Sequence, residues 1–250
     1  MPNLKAFSEF SEIHFRDFSL KMETVYENRR SARISLGKHH AILRLPILLS
    51  ISQKEKHLDW AKNWVIKKFE QDQNLRSRYV PRNYQSGQCI QLRNQEFVLE
   101  ILEDIDRKTA LGNLKGKTLV IHLPIGINAY QKHKLCSTII SRIMASFFQS
   151  EISKRVFEIN DQFFKKEIKS VRIKYNVSNW GSCSSNKIIN LSSRLLLTPQ
   201  FITDYIIVHE LAHLVHMNHS PRFWALVEKV MPEYQKAEKW LNKNGETCNW

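Results

Sequence analysis

The sequence has little of several things, and each shortage excludes a class of protein. Its four cysteines, Cys89, Cys136, Cys183 and Cys248, are far apart and include no C-x-x-C pair. A disulfide framework is therefore not expected, and reduced thiols in a cytoplasmic setting are. Glycine and proline number seven each in 250 residues, too few for a long low-complexity segment. No run approaches the roughly 18–20 consecutive apolar residues of a membrane span. The nearest, TDYIIVHELAHLVHM, is interrupted by charge and histidine. The opening MPNLKAFSEFSEIHF lacks a basic segment followed by an apolar one, so no signal peptide is expected. No internal repeat is evident.

Acidic residues are outnumbered, 24 against 38 Lys and Arg, which leaves a net charge of +14. Such a field attracts phosphate backbones and acidic partners and makes nucleic acid a candidate partner. The basic residues are nevertheless scattered, with only short clusters such as Arg29–Arg30–Arg33 and Lys165–Lys166–Lys169. No basic run is threaded with aromatics, so charge alone does not define a nucleic-acid surface.

Hydrophobic periodicity divides the chain. Residues 25–28, 31–36 and 41–46 read as short strands, with GKHH at 37–40 as a hairpin turn. Apolar residues at Leu58, Trp60, Ala61, Trp64, Val65 and Phe69 have helical spacing, and Ser52 or Ser50 is the expected N-cap. After a polar loop at 71–87, QCIQLRN, EFVLEIL and KTLVIHLP predict three more strands, with a glycine-containing turn at 112–116. From Asn128 the period becomes helical, with a break expected near Gln149–Ser150. VRIKYNV (171–177) and KIINL (187–191) read as strands around the turn-rich SNWGSCSSN. Pro199, Ser220–Pro221 and Pro232 each open a helix. The expected fold is α+β, with a β-rich region over 1–123 crossed by one helix and a helical region with a few strands over 124–250.

Residues 209–224, HELAHLVHMNHSPRFW, carry the chemistry. On a helix, positions i and i+4 share a face, so His209 and His213 can offer two imidazoles to one ion while Glu210 projects beside them. This is the H-E-x-x-H arrangement, in which the glutamate serves as general base toward a metal-bound water. A catalytic zinc site needs a third protein ligand, and His216 and His219 compete for the place. On a straight helix His216 lies about 10 Å along the axis from His209, which disfavours it. His219 can serve if the helix ends near Met217–Asn218, with Asn218 as a left-handed cap, and the chain folds back before Ser220–Pro221. The histidine spacing equals that of H-E-x-x-H-x-x-G-x-x-H, with His216 standing at the glycine.

With NWGSC at 179–183 and RLLLTP at 194–199, this stretch resembles the YgjP-like metallopeptidase family, related in motif to SprT-like and WLM zinc peptidases. The resemblance is strongest from Val171 to Leu241 and extends more loosely to ENRRSARISL upstream. It implies a zincin-like core with zinc held by His209, His213 and His219, catalysis by Glu210, and a peptide or protein substrate. SprT-like relatives also make a nucleic-acid-associated zinc protein an alternative. The sequence departs from the family at Asn179, where Arg is usual, and at Ser192–Ser193, where Asn-Trp is usual.

Other residues admit two readings each. KIINL is a candidate for the strand that aligns an extended substrate. Cys183 as a nucleophile lacks a nearby activating histidine in sequence, so a packed Trp180–Gly181–Ser182–Cys183 turn is the simpler reading. Met231 suits either a hydrophobic floor beneath the metal or the core, and Tyr234 could donate to a developing oxyanion. Phe223, Trp224 and Trp240 read as core packing. The mechanism expected is hydrolysis in which zinc polarises the scissile carbonyl and Glu210 shuttles a proton from water to the leaving amine.

Overall fold

The computed structural model describes residues 6–250 except 17, 38, 39 and 78, and omits the side chains of 74 and 77. The fold is α+β, and the chain forms two compact units, Met1–Pro81 and Arg82–Trp250. This division precedes the boundary expected at 123, because the strands following residue 88 bury their apolar face with the C-terminal helices.

In the first unit, strands β1 (Phe7–His14), β2 (Ser19–Glu27), β3 (Arg33–Leu36) and β4 (Ala41–Pro46) form a sheet in the order β1-β2-β4-β3. Positions 38 and 39 of the expected GKHH turn lie outside the described residues. Alternation fixes the buried face: Leu20, Met22 and Tyr26 on β2 and Ala41, Leu43 and Leu45 on β4 are buried. Helix α1 (Ile51–Gln71) covers them with Ala61, Val65 and Phe69, and the short α2 (Gln73–Ser77) follows. Ser50 is the N-cap of α1, closed by a reciprocal capping box with Gln53.

The second unit begins with β5 (Cys89–Leu92), β6 (Gln95–Asp104), β7 (Leu111–Lys115) and β8 (Thr118–Pro124), followed by α3 (Ala129–Ile159). Their order is β5-β6-β8-β7, the arrangement of the first sheet. In both sheets the second and fourth strands are parallel and the third is antiparallel to the fourth. Arg33 opposes Arg44 as Leu111 opposes His122, and Leu36 opposes Ala41 as Leu114 opposes Leu119. LPI at 45–47 and at 123–125 both precede a capping box, Ser50 with Gln53 and Asn128 with Gln131. The chain therefore contains a repeated strand–strand–hairpin–helix module, contrary to the sequence reading. The repeat escapes notice because the two copies share a burial pattern and caps but few identical residues.

Of the turn expected at 112–116, only Gly116 turns, at φ 60°; residues 112–115 belong to strand β7, and Gly112 is there for close packing: a Cβ would lie 2.5 Å from Ile139 Cγ2 on α3 and 3.0 Å from the Val120 carbonyl oxygen. Helix α3 also runs unbroken through Gln149–Ser150. Gln149 turns its amide to the adjacent strand β9 (Ser170–Lys174), where it donates to the Val171 carbonyl and accepts from Ile173 N–H, both at 3.1 Å. Cys136, Ile140, Met144, Phe148, Ile152 and Val156 form a buried ridge with i, i+4 spacing. Each such step drifts by about 40° around a helix, so one ridge serves the β5–β8 sheet first and β9 with the C-terminal helices later.

A π-helical turn (Asn160–Phe164) ends α3; after β9 come β10 (Gly181–Cys183), β11 (Ile188–Ser192), a 3-10 helix (Ser193–Leu197), α4 (Gln200–Ala212), α5 (Pro221–Val230) and α6 (Tyr234–Asn244). Among the described residues no helix is long and apolar enough to cross a membrane. Gly112→Ala is expected to lower stability by about 1–3 kcal/mol through overpacking against α3, read as a lower urea midpoint at unchanged m-value.

Candidate metal centre

Helix α4 follows Pro199 and is buried along most of its length, including Ile207, Val208, Glu210, Leu211 and Ala212. A bidentate pair, Arg155 Nε and Nη2 each 2.9 Å from the Asp204 carboxylate, ties it to α3. The helix ends at Ala212, earlier than expected, and Asn218 is not left-handed. Leu214 N–H donates to the Leu211 carbonyl and Val215 N–H to Ala212, both at 3.0 Å. These i→i+3 turns tighten the helix end and redirect the chain without a left-handed residue. His213 keeps helical dihedrals, φ −66° and ψ −20°, and so stays on the face of His209.

The redirected chain brings back His219. Its ring centroid is 5.0 Å from that of His209 and 4.8 Å from that of His213, and its Nε2 is 3.0 Å from His209 Nε2. One nitrogen from each of the three histidines lies within 4.8 Å of the others. Nitrogen ligands at 2.0–2.1 Å from a tetrahedral zinc stand about 3.3 Å apart, so these residues fit a three-imidazole site. The His216 ring is not in the cluster; the His216 carbonyl instead accepts from His213 Nδ1 at 3.1 Å. That bond fixes the tautomer of His213 with Nε2 free as a donor to metal. His209 Nδ1 is buried without a hydrogen-bond partner.

Phe223, fully buried on α5, forms the floor. Its ring centroid lies 4.9, 4.6 and 4.9 Å from those of His209, His213 and His219. A stack of Trp224, Tyr234 and Tyr205 encloses one side, with Trp224 against His219 and Tyr205 edge-on to His209. Within this aromatic surrounding His209 and His213 are half-buried and His219 is exposed. Burial, then the neighbouring His213 and His219, push His209 down to about 4, which keeps it in the neutral, metal-ligating form. Burial also lowers His213.

Glu210 is buried at 5% exposure, and desolvation pushes its carboxyl up to about 8. It lies against β10 at Gly181, where a Cβ would fall 2.5 Å from Glu210 Oε1. Only glycine admits the carboxylate there. The order of the small sheet is β10-β11-β9, so KIINL (β11) has both edges paired and cannot accept a substrate strand. Gln149 covers β9, whereas β10 pairs on one side only, against β11. Trp180 and Gly181 line a cleft of about 370 Å³ that opens beside His209 and Glu210 and continues to α6. Cys183 is held as a thiol, since burial and then the Glu210 carboxylate push it up to about 11.

The sequence profile of the YgjP-like metallopeptidase domain matches residues 30–244. The chain belongs to the YgjP-like family. Two solved structures are similar over 37% of this chain. One is the metallopeptidase zymogen abylysin of Pyrococcus abyssi, with 26% identity, a TM-score of 0.34 and 93% of that chain covered. The other is the zymogen jannalysin of Methanocaldococcus jannaschii, with 23% identity, a TM-score of 0.33 and 94% covered. A comparison with curated proteins finds no match. This chain is thus a metallopeptidase domain, and the family implies a metal.

Several residues of this YgjP-like site were not legible as such. Phe223 takes the floor position considered for Met231, and Tyr234 is a member of the aromatic stack. The two departures from the family pattern have local partners: Asn179 Oδ1 accepts from Asn176 Nδ2, Ser192 Oγ donates to the Asn176 carbonyl at 2.7 Å, and Ser193 Oγ accepts from Trp250 Nε1 at 3.1 Å. Arg194 is a cation buried at 6% exposure. It donates to the carbonyls of Cys248, Val177 and Gly245 at 2.8, 3.1 and 2.6 Å, and its guanidinium carbon sits 4.0 Å from the centroid of Trp180. Burial lowers its pKa, and carbonyl oxygens rather than a carboxylate compensate. The one available signal was a cation inside an apolar run, RLLL. Arg194→Met is expected to destabilise the protein by about 3 kcal/mol, since three carbonyls lose their donors; a denaturant midpoint equal to wild type would count against this assignment.

Proposed function

We propose that this chain is a zinc-dependent peptidase in which His209, His213 and His219 hold the ion and Glu210 is the general base. One observation carries the reading: three imidazoles converge within 4.8 Å on an aromatic floor, with a buried carboxylate one residue from the first of them. When bound there, zinc supplies Lewis acidity toward a carbonyl oxygen and acidifies water toward neutrality. Glu210 accepts the proton of the attacking water and delivers it to the leaving nitrogen. Burial raises its pKa, and a cation held by the neighbouring imidazoles would lower it again toward the carboxylate form. The open edge of β10 aligns an extended peptide by backbone hydrogen bonds, and Gly181 lets that edge approach the carboxylate.

Metal analysis and hydrolysis of a peptide library test these assignments together. Wild type and His216→Ala are expected to retain stoichiometric zinc, and His219→Ala to lose it; the reverse pattern overturns the ligand set. Glu210→Gln should keep zinc while hydrolysis falls about 10²–10⁴-fold. Retained hydrolysis in that variant excludes Glu210 as the base. Gly181→Ala displaces the carboxylate and is expected to cost about 10²-fold in kcat with zinc retained, measured as single-turnover cleavage.

A further inference from the structure

The cleft beside the metal centre contains a second carboxylate that neither ion binding nor proton transfer uses. Glu238 on α6 is half-buried and lines the same cleft as His209 and Glu210. Tyr205 Oη donates to Glu238 Oε1 at 3.1 Å, and the Tyr205 ring stands 6.0 Å from His209, so one tyrosine links this carboxylate to the metal centre. Among the described residues, no Lys, Arg or His forms an ion pair with Glu238 within 4 Å. The walls beside it are neutral: Ile206 and Leu241 are apolar, Trp180 is aromatic, and Asn242 is an amide. The nearby cation Arg194 lies on the Trp180 ring with its N–H groups committed to three backbone carbonyls. Glu238 is therefore a carboxylate held by a tyrosine and neutral walls, in a protein whose net charge is +14.

We infer that Glu238 makes this cleft a subsite for a cationic group of the substrate peptide, an arginine or lysine side chain or a free N-terminal amine. The inference rests on the peptidase reading above and adds the substrate class to it. An ammonium or guanidinium pairs with the carboxylate oxygen that Tyr205 does not occupy, and the aliphatic stem lies along Leu241 and Ile206. Tyr205 acts as a positioning residue, fixing the carboxylate through one oxygen. An acidic substrate group at this subsite would meet Glu238 and is disfavoured by like charge.

The test compares zinc-loaded wild type with Glu238→Gln and Glu238→Lys on matched peptides. These carry arginine, lysine, norleucine or glutamate at each position flanking the scissile bond, with free or acetylated N-termini. Wild type is expected to favour the cationic peptides over norleucine in kcat/KM by about ten- to a hundredfold. Glu238→Gln should collapse that ratio toward one, and Glu238→Lys should favour glutamate. A ratio that follows the side chain or one that follows the free N-terminus each supports a cation subsite and identifies its source. A wild-type ratio near one, or a ratio that Glu238→Gln leaves unmoved, overturns it. Zinc content checks the folding of each variant, and Tyr205→Phe, which keeps the ring stack, is the second variant and should lower the ratio in part. If zinc-loaded wild type cleaves none of the peptides, the peptidase reading fails separately, and binding decides the subsite alone. In that arm, Nα-acetyl-arginine methylamide is titrated against tryptophan fluorescence. Binding stronger than that of the norleucine analogue and weakened about tenfold by Glu238→Gln supports the subsite; equal binding of the two compounds sinks it.

Discussion

Burial of α4 is the constraint on which the C-terminal unit depends. The helix is apolar enough to sit inside the unit, yet it carries His209 and Glu210 into that interior and His213 to its end. Buried ionisable groups either lose their charge or find compensation. Here His209 is driven neutral and Glu210 toward its protonated form. The neighbours follow from that burial. Position 181 must lack a Cβ, the imidazoles rest on Phe223, and Cys183 beside Glu210 stays a thiol.

The scaffold around α4 is assembled by a few polar groups in apolar surroundings. The Arg155–Asp204 pair holds α4 to α3, and the amide of Gln149 closes one edge of the small sheet. Arg194 joins three carbonyls from residues 177, 245 and 248 behind the Trp180 ring. Arg194 works because a donor inside a low-dielectric interior has no water to compete for it, and the other two through paired, well-directed bonds. The repeated strand–hairpin–helix module shows a different economy, in which one topology serves both units. In the second copy, the longer helix carries its ridge onward to support α4.

Much of this was legible because it is periodic or local. The strands β2, β4, β6 and β8 alternate, α1 has helical spacing with Ser50 before it, and the i, i+4 pair His209 and His213 shares a face by helical geometry alone. Errors arose where long-range packing outweighed a local signal. Gly112 reads as a turn but is small because α3 passes over it, and Gln149–Ser150 reads as a break but faces a strand edge. KIINL has the better strand composition, yet the three-residue β10 takes the exposed edge beside Glu210, because edge position depends on strand order.

By itself, the sequence determined the α+β class, the shared face of His209 and His213 with the adjacent glutamate, and the separation of His216 from His209 along the axis, since each follows from spacing along one element. Tertiary structure decided what depends on residues distant in the chain. It placed Phe223 beneath the imidazoles, turned the His216 carbonyl onto His213, set Gly181 against Glu210, and joined Tyr205 to Glu238 across two helices. The physical reason is range: helical and strand periods act over a few residues, whereas desolvation, ring packing and strand order are properties of the folded interior.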